Sequence, residues 1–241
     1  MGTTLLKLER PRTAPVLVTF SGLDGSGKTT QIASLRAWMH SCGLRTMQLA
    51  FWDDVVVGKR YREGFVHKVY GSEHGVGAPG KPVNRRDKNV RAWYLTLARQ
   101  ILYQLDAIHL LVVIERAKRQ PVDVIILDRY IYDEMANLSL RNPLLRMYVK
   151  MVTDLVPRPD VAYLLDADVE AAHARKPEYP VDFMHKCRDD YFRLANLLGT
   201  MTVIPPLPLE RAQEEVIEAF VNRAILHNQD VESLKKPKIA A

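Results

Sequence analysis

Short apolar runs alternate with stretches of helical periodicity along most of the chain. The run from Val16 to Ser21 ends at Gly22 and predicts a buried strand that feeds a tight turn, and Thr29 to Ser41 then repeats apolar residues at helical spacing. Further strands are predicted at Thr46 to Phe51, Val122 to Leu127, Val161 to Leu165 and Met201 to Ile204. Alternating strands and helices predict an α/β fold, with a parallel sheet covered by helices on both faces.

The same periodicity predicts the longer helices and the breaks between them. The stretch from Asn89 to about Arg119 lacks Gly and Pro and predicts one long helix. Later helices are predicted at Pro143 to Val156, Phe183 to Leu198 and Leu209 to Leu226. Glycines and prolines crowd into residues 70–89, which predicts a loop beside a site, and residues 231–241 predict a disordered basic tail. Without an internal repeat, we expect a single domain over residues 1–230.

Composition excludes several classes of protein. Hydrophobic residues make up 47% and charged residues 26% of the chain, which is ordinary globular usage. Its apolar runs, such as Leu110 to Ile114, are far shorter than the roughly 20 residues that span a bilayer, and no secretory leader is visible. Cys42 and Cys187 lie far apart, without the spacing of a zinc site or disulfide framework. We therefore expect a cytoplasmic protein that does not enter a membrane.

The net charge indicates an anionic ligand. A formal charge of +6 would attract nucleic acid, acidic lipid or a phosphorylated small molecule. Aromatic residues are only 8% of the chain, and no basic region is interleaved with them. This composition argues against nucleic acid, while charge alone does not choose between acidic lipid and a phosphorylated small molecule.

A phosphate-binding motif lies between the first predicted strand and helix. Residues 22–29 read GLDGSGKT and fit G-x-x-x-x-G-K-[ST] in the required strand and helix context. Backbone N–H groups of such a loop form an anion nest, while Lys28 would reach the β and γ phosphates and Thr29 would hold Mg²⁺. The predicted phosphate-binding residues are Gly22, Asp24, Gly25, Ser26, Gly27, Lys28, Thr29 and Thr30.

A second charged motif follows the predicted strand that ends near Leu127. There the chain reads Asp128, Arg129 and Tyr130. Ligands of open α/β sheets bind at the carboxyl ends of strands, so Asp128 is placed to help hold Mg²⁺ and Arg129 to neutralise a transferring phosphoryl group. An ion pair that merely caps the strand is the alternative.

Together these motifs resemble the thymidylate kinase family. Residues 19–30, TFSGLDGSGKTT, resemble its FEGxDGxGKTT loop, and residues 128–130 resemble its DRY motif. Residues 159–166 and 174–176 look like its P-D-x-x-x-x-L-D strand and the arginine-bearing lid that follows, here short over residues 174–182. The resemblance covers about residues 16–220 and implies a P-loop kinase fold, with a five-stranded parallel sheet of order 2-3-1-4-5 and ATP with Mg²⁺ as the donor.

The resemblance also implies roles for individual side chains. Asp24 would touch the acceptor sugar, Arg175 would close over the phosphates, and Arg99 on the long helix would bind the acceptor phosphate. Tyr130 and Asp53 are assigned to the same acceptor site. The catalytic set is then Lys28, Asp128, Arg129 and Arg175, with Thr29 and Asp128 on the metal.

Two departures from the family pattern fall on the acceptor side. The R-E-P-G-G turn of the family is replaced by FWDD at residues 51–54, which removes an expected phosphate-binding arginine. After DRY, the family's S-x-x-A-Y-Q becomes DEMANL at residues 133–138. The base-reading residues have therefore changed, while the donor side matches the family.

Three functions remain open from the sequence. The first is phosphoryl transfer from ATP to a nucleoside monophosphate, dTMP by resemblance, which needs no strong base because the acceptor is already an anion. The second is a kinase of a nucleoside or sugar hydroxyl, with Asp53 or Asp54 as the base; helix capping is the alternative role of that pair. The third is a nucleotide-binding sensor with little turnover. A homodimer is also left open.

Overall fold

In the computed structural model, which describes residues 14–58 and 93–226, five parallel strands form one sheet. The strands are β1 (Val16–Gly22), β2 (Thr46–Ala50), β3 (Val124–Asp128), β4 (Val161–Leu165) and β5 (Met201–Ile204). Their order is β2-β3-β1-β4-β5, and every neighbouring pair is parallel. The predicted α/β class and the strand order 2-3-1-4-5 are confirmed.

Seven α-helices connect these strands in the described part of the chain. They are α1 (Lys28–Ser41), α2 (Trp93–Lys118), α3 (Ile131–Met135), α4 (Pro143–Leu155), α5 (Val169–Arg175), α6 (Val181–Leu198) and α7 (Leu209–Phe220). Side-chain caps begin two of them: Asn142 accepts a hydrogen bond from the backbone N–H of Leu144, and Asp168 accepts one from that of Ala171. Gly199, with φ of 65°, ends α6 in the left-handed conformation that glycine favours.

The core consists of two apolar layers, one on each face of the sheet. Along β3, Ile125 and Leu127 pack into one layer, while Val124 and Ile126 pack into the other. Helices α2, α3, α4 and α6 cover the first face, and α1 and α7 cover the second. Both faces of the parallel strands are buried, which explains why these strands read as continuous apolar runs in the sequence.

Strand register brings the predicted site residues to one edge of the sheet. Asp128 is level with Phe20 of β1 on one side and with Ala50 of β2 on the other. Directly after β3, the backbone N–H of Arg129 donates to the carbonyl oxygen of Phe20 at 2.9 Å. The carboxyl ends of β1, β2 and β3 therefore meet at the edge where the phosphate-binding loop begins.

Local side-chain contacts explain where the elements differ from the predicted ones. Strand β2 ends at Ala50 rather than Phe51, because the chain then forms a π-helical turn (Phe51–Val55) in which the Asp54 carboxylate accepts the Ala50 N–H at 2.7 Å. Helix α7 likewise ends at Phe220 and continues as a second π-helical turn (Val221–Leu226). The short helices α3 and α5 were not predicted, because five- and seven-residue segments carry too little periodicity to detect.

One predicted feature overlaps the ends of two helices, and three others lie outside the described residues. The expected lid over residues 174–182 begins inside α5 and ends inside α6, so that only residues 176–180 connect the two helices. The glycine-rich loop predicted at 70–89 and the tail predicted at 231–241 lie outside the described residues, as does the start of the predicted long helix. The single domain over residues 1–230 stays a prediction.

Helix α2 combines a buried face with an exposed apolar one. Within the described ranges, the segment Leu97–Lys118 is the one helix long and apolar enough to cross a membrane, by length and composition. Its residues Ala107, Leu110 and Ile114 are fully buried against the sheet, so the helix forms part of the globular core. Core helices pass the same length test, and this one gives no separate indication of a membrane span.

Candidate active site

The loop between β1 and α1 adopts a conformation that requires glycine. Gly22, Gly25 and Gly27 have φ of 142°, 79° and 88°. A Cβ at Gly22 would lie 2.5 Å from the carbonyl oxygen of Leu165, and one at Gly25 would lie 2.5 Å from that of Ala172. Backbone N–H groups at the start of α1 and in such a turn can face one anion, as the sequence motif predicts.

Lys28 folds back onto its own loop. Its Nζ donates to the carbonyl oxygens of Gly22 at 2.9 Å and Leu23 at 2.7 Å, and the residue is only 7% exposed. Burial, followed by the charge of Arg129, lowers the pKa of Lys28 to about 8. A bound phosphate would restore the preference for the charged form, because an anion beside the ammonium raises its pKa.

Arg129 is the most strongly constrained cation of the site. It is the one non-glycine residue with positive φ, 67°, among the described residues, and its guanidinium forms an ion pair with the Asp24 carboxylate. Burial lowers the pKa of Arg129, but the carboxylates of Asp133 and Asp24 outweigh it and raise the pKa overall. Conversely, burial raises the pKa of Asp24, while Arg129, Lys28 and Lys176 together lower it below the usual value. The Asp24–Arg129 pair is therefore ionised at neutral pH.

Asp128 provides a carboxylate beside these cations. It lies partly buried at the end of β3, and burial raises its pKa in spite of the lowering effect of Lys28. Thr29 and Thr30 are exposed in the first turn of α1. The hydroxyl of Ser26 is buried, without a hydrogen-bond partner among the residues described. These four groups leave oxygen atoms available in and beside the loop for a phosphate or a cation.

The donor set fits magnesium held mainly by a nucleotide. No group of three or more metal-ligating side chains exists within residues 14–58 and 93–226. Mg²⁺ typically takes one or two protein oxygens and completes its octahedron with phosphate and water oxygens. The Thr29 hydroxyl and the Asp128 carboxylate are ligands of this kind, and together they are the residues that would hold the ion.

The end of α5 and the residue after it pack onto the phosphate-binding loop. Arg175 is exposed, and its Nε donates to the carbonyl oxygen of Gly25 at 2.9 Å. Lys176 Nζ lies 3.8 Å from an Asp24 carboxylate oxygen and 3.3 Å from one of the buried Glu178. Two cations, one at the end of α5 and one in the connection that follows it, therefore lie beside the loop. The role of this segment as a lid stays a prediction.

The predicted acceptor residues do not converge in the same way. Tyr130 is fully buried, and its hydroxyl donates to the carbonyl oxygen of Pro157, so its ring belongs to the core and does not face the site. Arg99 lies on α2 with its guanidinium 5.9 Å above the ring of Tyr103. Asp53 is exposed on the π-helical turn after β2. Among the residues assigned to the acceptor, Asp24 is the one whose carboxylate forms an ion pair with the Arg129 guanidinium.

The structure adds two polar side chains that sequence reasoning did not assign to the site. Asp133 of α3 accepts hydrogen bonds from Arg129 and from the hydroxyl of Tyr191 on α6. The spacing of Arg129 and Asp133, four residues apart, could have suggested the ion pair if a helix had been predicted there. Tyr191 lies 58 residues further along the chain, and no local pattern connects it to the site.

Several curated relatives of the chain are thymidylate kinases. No family model matches the chain. Curated relatives include a probable thymidylate kinase of Methanosphaera stadtmanae, 24% identical over 206 residues, which span 83% of this chain and 94% of the relative. A probable thymidylate kinase of Methanocaldococcus jannaschii is 29% identical over 189 residues, 75% of this chain and 81% of the relative. A thymidylate kinase of Bifidobacterium longum is 26% identical over 179 residues, 73% and 78% of the two chains.

A solved structure shares the fold. The thymidylate kinase from Ehrlichia chaffeensis superposes with a TM-score of 0.56 and 18% identity, over 86% of this chain and 98% of that protein. At this identity the likeness shows the fold alone, a P-loop kinase sheet with surrounding helices. The sequence relatives extend over most of the chain. The chain is accordingly a thymidylate kinase-like phosphotransferase, as the resemblance of its two phosphate-handling motifs predicted.

Proposed function

We propose that the protein transfers the γ-phosphoryl group of ATP to dTMP. The observation that carries the proposal is the convergence of Lys28, Asp24, Asp128 and Arg129 at one edge of the sheet, beside a glycine loop that can take an anion. The coarser activity, nucleoside monophosphate kinase, is supported by the relatives over most of the chain. The choice of dTMP rests on the names of those relatives.

On the donor side, the loop supplies binding and the cations supply charge. The N–H groups of the loop and of α1 would hold the β and γ phosphates. Lys28 would exchange its two carbonyl partners for phosphate oxygens, a stronger charge-assisted contact for a buried ammonium. Mg²⁺, when bound through Thr29 and Asp128, would neutralise charge on the phosphates.

On the acceptor side, the chemistry needs positioning more than proton transfer. A phosphate oxygen of a monophosphate is already an anionic nucleophile, so alignment and charge neutralisation account for the rate. Arg129 pairs with Asp24 of the loop, and Arg175 and Lys176 lie beside the loop, so these three cations would neutralise charge there. Arg99 stays a proposed ligand of the acceptor phosphate.

A kinase of a hydroxyl group is the second candidate. It would need a carboxylate base near the end of β2, where Asp53 and Asp54 lie. The Asp54 carboxylate accepts the backbone N–H of Ala50, which supports its role as a cap of the π-helical turn. Asp53 is then the carboxylate that this alternative must use.

An acceptor screen separates the candidates. Purified protein with ATP and Mg²⁺ is offered dTMP, dUMP, other nucleoside monophosphates, thymidine and simple sugars, and ADP and the product are quantified. The proposal expects dTDP from dTMP, and no transfer by the K28A variant. Phosphorylation of thymidine or a sugar in preference to monophosphates would establish the hydroxyl alternative. ATP binding without transfer to any acceptor would establish the nucleotide-binding sensor.

We also propose that the enzyme is a cytoplasmic homodimer. Support comes from nine exposed large aliphatic side chains on two neighbouring helices: Leu97, Ile101, Leu105, Ile108 and Val112 of α2, and Leu144, Met147, Met151 and Leu155 of α4. Exposed apolar patches beyond a few hundred Å² mark interaction sites, and a standard interface buries about 800 Å² on each partner. A second copy of the chain carries the same apolar surface and can cover it symmetrically.

A further inference from the structure

A buried carboxylate outside the predicted catalytic set lies at the centre of a polar network. Asp133 Oδ2 accepts hydrogen bonds from the Ser21 hydroxyl at 2.6 Å and from the backbone N–H of Tyr130 at 3.1 Å. Its Oδ1 accepts from the Tyr191 hydroxyl at 2.7 Å and from Arg129 Nη1 at 3.3 Å. The Asp133 side chain is 5% exposed, so these four donors replace the water that would otherwise solvate it.

The network holds Arg129 from two sides. Asp24 approaches the guanidinium from the phosphate-binding loop, and Asp133 approaches it from α3. A guanidinium is a planar fork of five donors, so two carboxylates on different nitrogens fix its direction as well as its charge. The backbone of Arg129 is itself in the left-handed region, which the surrounding contacts must maintain.

The two carboxylates that hold Arg129 differ in their exposure to solvent and ligand. Asp24 is 28% exposed in the loop, where a bound ligand can compete for it, whereas Asp133 is enclosed by Ser21, Tyr130 and Tyr191. The Asp133 contact can therefore persist while Arg129 exchanges Asp24 for a phosphate. Asp133 is therefore the permanent partner of the Arg129 guanidinium, and Asp24 is the partner that a phosphate can replace.

Ser21 and Asp133 occupy positions at which the two thymidylate kinase motifs carry other residues. In FEGxDGxGKTT the glutamate stands at the position of Ser21, and in S-x-x-A-Y-Q the serine stands at the position of Asp133. In this chain the hydroxyl lies on β1 and the carboxylate on α3, and the two are in direct contact. One hydroxyl and one carboxylate are thus kept, with their positions exchanged.

We propose that Asp133 is a positioning residue that aims Arg129 at the transferring phosphoryl group, and that the Ser21–Asp133 pair is a reciprocal exchange of the motif's glutamate and serine. The catalytic part rests on the proposed function, whereas the exchange is a statement about the pair itself. A single change at either position unbalances the pair: S21E opposes two buried carboxylates, and D133S leaves Arg129 and Tyr191 without their common acceptor. The double change restores one carboxylate and one hydroxyl.

The test is a cycle of variants with two measurements. Kinetic constants for phosphoryl transfer, on the acceptor that the screen identifies, and unfolding temperatures are measured for S21E, D133S, S21E/D133S and D133N. We expect D133N and D133S to lower kcat at least about tenfold while the KM for ATP changes less than about threefold, because Arg129 acts on the transferring group. The double variant is expected to exceed both single variants in kcat and in unfolding temperature.

A matched control separates positioning from general loss of a buried acid. Asp190 is also largely buried on α6 and paired with an arginine, Arg193, at 2.8 Å. D190N removes the same charge and is expected to lower the unfolding temperature while leaving kcat within about twofold.

Each outcome decides one part of the proposal. Normal kcat in D133N and D133S, with lowered unfolding temperatures, would make Asp133 purely structural. A double variant no better than the worse single variant would overturn the exchange. Failure of the wild type to phosphorylate dTMP would count against the proposed substrate alone, since the kinetics follow the acceptor found by the screen. In a protein without any transfer the positioning role is refuted, and the unfolding temperatures still decide the exchange.

Discussion

Arg175 donates a hydrogen bond from Nε to the carbonyl oxygen of Gly25 at 2.9 Å, across 150 residues of sequence. The end of α5 therefore rests on the phosphate-binding loop. The contact is close on the backbone side as well, because a Cβ at Gly25 would lie 2.5 Å from the carbonyl oxygen of Ala172. Loop and helix cannot both keep their places if residue 25 carries a side chain.

G25A is accordingly expected to weaken both stability and catalysis. The substitution meets a positive φ of 79° and a backbone collision, so it should cost more than the ~1 kcal/mol that alanine typically costs at positive φ. We expect kcat to fall at least about tenfold, because displacement of the loop moves the phosphates. Urea unfolding and steady-state kinetics measure the two effects.

G199A is the matched control for this prediction. Gly199 has φ of 65° with no atom within 4 Å of a Cβ, and it ends α6. It should lose about 1 kcal/mol of stability and keep its kcat. Equal effects of G25A and G199A on both measurements would show that the contact between α5 and the loop has no role.

The depressed pKa of Lys28 predicts how ATP binding depends on pH. With a pKa of about 8, Lys28 is mostly protonated at pH 7 and loses its charge as the pH rises above 8. Phosphate favours the charged form, so binding above pH 8 must take up a proton, and affinity should fall by up to about tenfold for each further pH unit.

Calorimetry of ATP binding between pH 7 and 9.5, in buffers of different ionisation enthalpy, measures both the affinity and the proton uptake. K28R is the control, since arginine keeps its charge over this range and should remove the slope. Constant affinity of the wild type up to pH 9.5 would mean that Lys28 does not titrate as the structure indicates.

The donor half of the site could be predicted from sequence because its parts are local. Gly22 to Thr29 form one continuous motif, and Asp128 and Arg129 follow a strand whose apolar run is unmistakable. The strands could be predicted as well, because strands buried on both faces of a sheet appear in the sequence as continuous apolar runs. Strand order came from the family resemblance, since periodicity alone does not order parallel strands.

The acceptor half could not be predicted because its contacts are long-range. Tyr130 is adjacent to Arg129 in the motif, yet its ring turns into the core towards Pro157. Tyr191 reaches Asp133 from another helix, and a pairing across 58 residues leaves no periodic signal. Asp54 is a different case, because its partner is local: a carboxylate at this position can be a base or a cap, and only its contact with the Ala50 N–H, four residues away, supports the cap.

D128N is expected to affect the metal-dependent step more than nucleotide binding. Asp128 ends β3 beside Lys28, and its loss removes one oxygen ligand and one charge on the metal side, while the backbone nest still holds the phosphates. We expect kcat at limiting Mg²⁺ to fall about 10- to 100-fold, with ATP affinity nearly unchanged.

Asp123 offers the control near the other end of the same strand. Its carboxylate pairs with the exposed Arg45 at 3.0 Å, so D123N removes an equal charge far from the loop and should leave kcat unchanged. The measurement is kcat as a function of Mg²⁺ concentration for both variants and the wild type. Identical curves for D128N and the wild type would assign Asp128 a structural role only.

The exposed face of α2 predicts the oligomeric state. Ile101, Leu105, Ile108 and Val112 recur at intervals of four and three residues, the spacing with which one helix packs against another. The first three side chains are between 44% and 53% exposed. Such exposure of large apolar side chains in a row is unfavourable in water and marks an interaction surface. If two copies of the chain cover this face, a charge placed within it must separate them, because an unpaired buried carboxylate is strongly unfavourable.

I108E is therefore expected to be a folded monomer, whereas the wild type elutes with twice the chain mass in size-exclusion chromatography with light scattering. L209E is the matched control: Leu209 is 54% exposed against 50% for Ile108, but it begins α7 on the opposite side of the sheet. This variant should remain dimeric, with an unfolding temperature close to that of the wild type. A monomeric wild type at micromolar concentration, or an I108E dimer as tight as the wild type, would show that α2 does not form the interface.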